Sequence, residues 1–70
     1  MNITLILKEH RERAGFSQRG LAKAAGIAQC RVCRYDNGRE FPTIETMIRL
    51  AKPLGIEWHE LVKVEGEEHV

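Results

Sequence analysis

The sequence lacks any run of about 18 consecutive apolar residues, so it contains no membrane-spanning helix. The apolar part of its opening segment, MNITLILKEH, is also too short for a secretory signal peptide. We therefore expect a cytoplasmic protein without a membrane partner. Its 70 residues are enough for one small domain with a thin core, since a chain of this size buries only roughly 60% of its unfolded surface.

Cysteine is scarce, with only Cys30 and Cys33 in the chain. A structural zinc ion takes about four protein ligands, so two cysteines do not form a zinc site alone. Three residues apart on a helix, they are also poorly placed for a disulfide, and a reducing cytosol keeps such thiols free. His10 has no partner at metal-ligand spacing. We expect no metal and no cofactor.

The residue sets that carry catalysis are missing as well. No nucleophile, general base and orienting group occur together, and no glycine-rich loop suited to phosphate is present. A core this small also leaves no room for a deep substrate pocket. The sequence therefore predicts a protein that is not an enzyme.

Net charge is low, at +1, but the charges are unevenly distributed. Residues 1–39 contain eight Lys and Arg against three acidic residues, a net charge of +5. Residues 40–70 contain three Lys and Arg against seven acidic residues, a net charge of −4. The basic half is suited to meeting phosphate groups, with chance clustering in a short chain as the alternative.

Hydrophobic periodicity and stop signals divide the chain into five short helices. The first is predicted over Ile3 to Ala14 and ends at Gly15. Ser17 is a good N-cap for the second helix, which turns at Gly26. The stripe of the second helix that we expect to be buried consists of Leu21, Ala22 and Ala25.

The third helix is predicted from near Ala28 to about Asp36, with Val32 and Tyr35 facing inward. Its outer surface carries Gln, Arg and Cys side chains. Two short helices joined by a glycine turn, with forked polar groups outside the second, are suited to placing that helix in the DNA major groove.

Thr43 caps the fourth helix, which we expect to end or distort at Pro53 before the break at Gly55. A final short helix is predicted from about Glu57 to Val62. The predicted domain covers residues 1–62, and residues 63–70 form an acidic tail that we expect to be frayed.

Many positions between residues 3 and 62 fit one known pattern without gaps: Ser17-Gln18, Leu21-Ala22, Gly26-Ile27, Val32, Tyr35-Asp36, Asn37-Gly38, Pro42, Leu50-Ala51, Leu54-Gly55-Ile56 and Leu61. In these residues the chain resembles the Cro/repressor-type helix-turn-helix family, also called XRE-like or lambda-repressor-like. The resemblance implies an all-α, compact five-helix domain in which helices 2 and 3 form the helix-turn-helix. It also implies binding to operator DNA, usually as a dimer. Ala28 departs from the pattern, which usually has a capping Ser or Thr there.

Three residues of the third helix are candidates for contacts to bases. Gln29 is suited to pair bidentately with adenine, and Arg34 with the O6 and N7 atoms of guanine. Cys30 lies between them and is small enough to contact a thymine methyl group. The alternative for Gln29 and Arg34 is an ordinary solvent-exposed helix surface.

Candidates for phosphate contacts flank this helix. By the resemblance, Gln18 clamps a phosphate at a helix N-terminus, a place that favours anions. Arg31 and Arg39 are further candidates, and Asn37 offers its main-chain N–H just past the third helix. The alternative for Gln18 is an ordinary polar residue at the start of a helix.

The resemblance also implies a structural salt bridge between Arg11 and Asp36. A basic residue of the first helix would pair there with an acidic residue at the end of the third, fixing the third helix to the rest of the domain. The alternative is two unrelated surface charges.

The predicted function is a sequence-specific, DNA-binding transcriptional regulator, more specifically a repressor, that binds double-stranded DNA as a homodimer on a near-palindromic operator. Trp58, Leu61 and Val62 are candidates for the dimer surface, with core packing favoured for the first two. An antitoxin-like or other protein-interaction module, with a toxin-like or regulatory protein partner, is the second hypothesis. A thiol sensor at Cys30 and Cys33 is the third.

Overall fold

The computed structural model describes residues 2–65. Its helices are α1 (Leu7–Arg13), α2 (Gln18–Ala25), α3 (Gln29–Asp36) and α4 (Ile44–Leu54), followed by a 3-10 helix over Trp58–Leu61. Strands β1 (Asn2–Leu5) and β2 (Val62–Glu65) pair antiparallel at the two ends of this region. None of the helices in residues 2–65 has the length and apolar character needed to cross a bilayer.

The core lies where the four α-helices and the 3-10 helix meet. Five side chains are fully enclosed there: Leu7, Leu21, Val32, Leu50 and Leu61. Each buried side chain of this size contributes roughly 1.5–3 kcal/mol relative to an exposed one. Because the five come from five different elements, each element is fixed to the others through this cluster.

The unit formed by α2, the turn and α3 follows from local signals. Ser17 caps α2, its Oγ accepting a hydrogen bond of 2.9 Å from the Gly20 N–H. Gly26 ends α2 with a φ of 73°, a left-handed conformation that glycine adopts without steric cost. The predicted buried stripe of α2 is confirmed, since Leu21, Ala22 and Ala25 are all buried.

The first predicted helix is wrong in its N-terminal part. Residues 2–5 form β1, and α1 begins only at Leu7. Ile3 and Thr4 are β-branched and favour extended backbone, and Ile3 pairs with Val64 across the sheet. The helical interpretation failed because the partner strand lies at the far end of the described chain.

The predicted fifth α-helix is instead a single 3-10 turn. Glu57 and Glu60 close a capping box around it, and the chain continues directly into β2. The fold is therefore mostly helical with a small sheet, which corrects the all-α, five-helix expectation. Residues 63–65, expected in the acidic tail, belong to β2 because they pair with β1. Residues 66–70 of that predicted tail lie outside the described residues.

Helix α4 continues through the proline that was expected to end or distort it. Pro53 lies in its last turn, where only one backbone donor is lost, and the helix ends one residue later at Leu54. Thr43 caps its N-terminus as predicted, with Oγ1 accepting from the Thr46 N–H at 3.2 Å. The α4 prediction is thus confirmed at its start and off by one residue at its end.

Candidate nucleic-acid interface

The outer face of α3 is exposed because its inner face is fixed in the core. Val32 and Tyr35 are 0% and 3% exposed, respectively, and hold one side of the helix against the domain. Gln29, Cys30 and Arg34 consequently face solvent. The helix therefore presents all three predicted base-contacting residues on its free surface.

These side chains line one open groove of about 520 Å³. The groove contains six of the seven predicted DNA-contacting residues together with one cysteine that was not predicted as a contact: Gln18, Gln29, Cys30, Cys33, Arg34, Asn37 and Arg39. The seventh predicted residue, Arg31, lies in a neighbouring cleft beside α4. The helical spacing of three and four residues already placed Cys33 near Cys30 and Asn37, so the sequence contained the signal for its position.

A buried ion pair joins α1 to the C-terminal end of α3. The Nη2 atom of Arg11 lies 3.0 Å from Oδ2 of Asp36, and its Nε donates to the same oxygen at 3.1 Å. The two side chains are 9% and 2% exposed. Arg11 Nη1 also donates to the Phe16 carbonyl at 2.7 Å. The salt bridge implied by the resemblance is therefore present and links α1, the following loop and the end of α3.

Gln18 belongs to the same network. Its side-chain amide nitrogen donates to Asp36 Oδ2 at 3.0 Å. The amide nitrogen and not the amide oxygen faces Asp36, because an ionised carboxylate accepts hydrogen bonds but does not donate them. One of the two N–H groups of this amide is thus used within the protein. Its backbone N–H, at the first position of α2, is one of the helix-terminal donors without an intrahelical partner.

A second acidic residue, Glu40, forms ion pairs with the two arginines of α3. Oε1 of Glu40 lies 3.5 Å from Nη1 of Arg34, and Oε2 lies 3.8 Å from Nη1 of Arg31. The Tyr35 hydroxyl, which accepts a 3.5 Å hydrogen bond from Arg31, and then the Glu40 carboxylate raise the pKa of Arg31 above its ordinary value. The role of Glu40 is not visible in the sequence, because it depends on how the loop after α3 folds back.

The two thiols differ in accessibility. Both are free, with Cys30 exposed and Cys33 half-buried. Cys33 Sγ accepts a hydrogen bond from Asn37 Nδ2 at 3.4 Å. The main-chain N–H of Asn37, predicted to contact a phosphate, instead donates to the Cys33 carbonyl at 3.0 Å, which corrects that prediction. No cluster of three or more His, Cys, Asp or Glu side chains suited to a metal ion occurs within residues 2–65.

The candidates for a dimer surface are largely used in the core. Leu61 is 0% exposed, which removes it as a candidate for the dimer surface and confirms the core packing that was favoured for it. Trp58 and Val62 are partly buried and pack against the same cluster. Core packing, the favoured alternative for Trp58 and Leu61, describes their positions.

Comparison with known families gives the same architecture. The family model described as "Helix-turn-helix domain" matches residues 5–62. The chain belongs to this helix-turn-helix family. The family resemblance predicted from the sequence is thereby confirmed.

Individual relatives agree with this assignment. The helix-turn-helix domain is 36% identical over 45 residues to an HTH-type transcriptional regulator of Haemophilus influenzae, a match that covers 64% of this chain and 46% of the relative. It resembles the crystal structure of the restriction-modification controller protein C.AhdI from Aeromonas hydrophila, with a TM-score of 0.74, 33% identity, and coverage of 79% of this chain and 83% of that one.

Two structures of SinR are also similar. The complex of SinR with DNA has a TM-score of 0.71 and 27% identity, with coverage of 79% of this chain and 89% of that one. The complex of SinR with SinI has a TM-score of 0.74 and 25% identity, with coverage of 79% and 54%. The match thus spans about half the length of the Haemophilus relative and of the chain in the SinR–SinI complex.

Proposed function

We propose that this helix-turn-helix domain is a sequence-specific, DNA-binding transcriptional regulator, acting as a repressor, that inserts α3 into the major groove. The observation that carries the proposal is the single groove on the outer face of α3, in which the predicted base contacts and most predicted phosphate contacts meet. A DNA complex of the structural neighbour SinR supports the same use of the fold.

Base recognition is assigned to three residues of α3. Gln29 is the first residue of the helix and pairs with adenine, because the N-terminal turns of a recognition helix enter the groove most deeply. Arg34 is suited to guanine, and Cys30 between them contacts a thymine methyl group. Each bidentate contact discriminates against the wrong base by about 1–3 kcal/mol.

Phosphate contacts position α3 over the bases. The backbone N–H of Gln18 is a donor at this point, and so is the second N–H of its side-chain amide, whose first N–H is donated to Asp36. Arg39 contacts the DNA backbone beyond the C-terminal end of α3, where the main-chain N–H of Asn37 is already used by the Cys33 carbonyl. Arg31 reaches a phosphate from the neighbouring cleft.

A homodimer on a near-palindromic operator completes the proposal. One copy of a domain this size covers one half-site, and two copies related by a two-fold axis read half-sites about 10 bp apart. C.AhdI is a restriction-modification controller protein of similar structure, which supports a regulatory role for this domain.

The test is selection of bound sequences from random duplex DNA, carried out with the wild type and with Gln29→Ala and Arg34→Ala. We expect each variant to lose its preference at one base step, because each removes one bidentate contact. Arg39→Ala should instead weaken binding to all sequences and reduce the salt slope by about 1. Lys23→Ala, at an exposed α2 position outside the groove, is the matched control. Uniform weakening by Gln29→Ala and Arg34→Ala would contradict direct readout.

A protein-interaction module, such as an antitoxin-like subunit, is the second candidate. The structure of SinR with SinI favours it, because a neighbour of this fold has been solved with a protein partner. Exposed Phe41, Ile44 and Ile48 provide apolar surface for such a contact. The two functions differ in salt dependence, since DNA binding through several phosphates weakens steeply as salt rises and an apolar protein interface does not.

A further inference from the structure

The structure determines which residue pairs of the β1–β2 ribbon are hydrogen-bonded to each other and which are not. The Ile6 N–H donates to the Leu61 carbonyl at 2.8 Å, which makes Ile6 and Leu61 a hydrogen-bonded pair at the base of the ribbon. In an antiparallel ladder such pairs alternate, so Thr4 and Lys63 form the next hydrogen-bonded pair. The backbone N–H and C=O of Val64 consequently point away from β1, along the free edge of β2.

The two side chains that flank Val64 on this strand carry opposite charges. Lys63 and Glu65 flank it, lie on the same face of the strand, and approach each other to 3.4 Å between Nζ and Oε2. Both are well exposed, at 61% and 55%. When such a strand meets an antiparallel copy of itself with Val64 at the centre, each lysine lies opposite a glutamate.

We propose that β2 pairs antiparallel with β2 of a second copy of this chain, about a two-fold axis at Val64. The two Val64 residues form a hydrogen-bonded pair, because their free backbone groups face each other. Lys63 of each copy then lies opposite Glu65 of the other at a non-hydrogen-bonded position, where side chains approach most closely. The register is thus fixed by hydrogen bonds and by charge together.

An axis at Lys63 or Glu65 would place two like charges opposite each other, and an axis at Val62 is blocked by the backbone. An axis at Val62 would need the outward N–H of that residue, which already donates to the His59 carbonyl. Val62 also packs against the core, so a second copy there would meet the body of the domain. The β1 edge, with Ile3 at its centre, offers no charge pairing comparable to that of Lys63 and Glu65.

The apolar face of the ribbon fits the same arrangement. Leu5 and Val62 pack on the core, whereas their neighbours on that face, Ile3 and Val64, are 56% and 59% exposed. Pairing through β2 places the two Ile3–Val64 pairs side by side in a four-stranded sheet. The exposed ends of two short ribbons become one continuous apolar row across the axis.

The proposed β2–β2 interface is small, so its affinity is low. Two four-residue edges bury less than the roughly 1,200 Å² at which stable interfaces begin, so we expect a weak dimer in solution, with a dissociation constant in the micromolar range or above. The proposal rests on the homodimer of the proposed function and names its surface. Two adjacent half-sites raise the local concentration of the second copy and strengthen the pairing.

Sedimentation equilibrium of the full chain from micromolar to millimolar concentration, without DNA, tests the proposal. We expect a monomer–dimer equilibrium that Lys63→Glu or Glu65→Lys weakens by about tenfold, since each change puts two like-charge pairs across the axis. The double variant Lys63→Glu/Glu65→Lys should restore the wild-type dissociation constant. Val64→Lys, which puts two ammonium groups opposite each other, should abolish the dimer. Lys23→Glu, on α2, changes the net charge equally and should have no effect.

All four positions changed are exposed, so circular dichroism should show the wild-type fold for each variant. A monomeric wild type at millimolar concentration, or a dimer unaffected by Val64→Lys and Lys63→Glu, would overturn the proposal. Electrophoretic mobility on single and paired half-sites separates it from the proposed function. Binding to paired half-sites by a dimer that Val64→Lys and Lys63→Glu leave intact contradicts this inference alone, whereas an edge-paired dimer without DNA binding contradicts the proposed function alone.

Discussion

Replacement of Asp36 by asparagine should destabilise the domain strongly. The change keeps the size and one oxygen of the side chain but removes the charge that balances Arg11, whose side chain is only 9% exposed. Loss of one partner of a buried pair costs about 3–5 kcal/mol, because the remaining charge is uncompensated. At about 0.05–0.15 kcal/mol per residue, the whole domain has only about 4–10 kcal/mol of stability.

Thermal unfolding followed by circular dichroism measures the effect. For domains of this size 1 kcal/mol corresponds to a Tm shift of roughly 4–8 °C, so we expect Asp36→Asn to lower the Tm by at least about 12 °C. The double change Arg11→Met/Asp36→Leu should recover most of the loss, since an apolar pair carries no desolvated charge.

A surface ion pair provides the control. Glu45 and Arg49 lie 3.7 Å apart on α4 and are 81% and 54% exposed. Glu45→Gln should change the stability by less than about 0.5 kcal/mol, as solvent-exposed i,i+4 pairs contribute little. If Asp36→Asn melted like the wild type, the Arg11–Asp36 pair would not hold α3 in place and the reasoning would be refuted.

Three further predictions concern α3 and its surroundings. Glu40→Gln should raise the affinity for duplex DNA by about fivefold in fluorescence anisotropy at fixed salt, because it frees Arg34 from an ion pair of about 1 kcal/mol; unchanged affinity would contradict this. Ala28→Ser should raise the Tm by roughly 4–8 °C, since α3 has no side-chain cap and Ala28 already has extended backbone with a ψ of 142°. Alkylation of exposed Cys30 should block DNA binding and be faster than that of half-buried Cys33, and Cys30→Ser should be resistant; equal binding after alkylation would remove Cys30 from the interface.

Local signals were sufficient to predict the helices that form the candidate site. The cap at Ser17 and the turn at Gly26 act through neighbouring backbone groups, so the sequence alone located α2 and the start of α3. The exposed face of α3 followed from helical spacing, because Val32 and Tyr35 fix which side is buried.

Features that depend on distant contacts were not predictable in the same way. Strand β1 exists because β2 pairs with it from the other end of the described chain, a contact that local periodicity does not reveal. Glu40 and the side chain of Gln18 find their partners only after the loop and helices are packed. Their contacts therefore required the three-dimensional structure.

Gln29, Cys30 and Arg34 are exposed, so the residues proposed to select the DNA sequence are not the residues that stabilise the fold. These side chains contribute little to the core, so substituting them changes the stability by less than about 0.5 kcal/mol each. Val32, Tyr35 and Asp36 carry the attachment of the same helix. An altered operator preference can therefore arise by single replacements on one side of α3, while the residues on its other side stay unchanged.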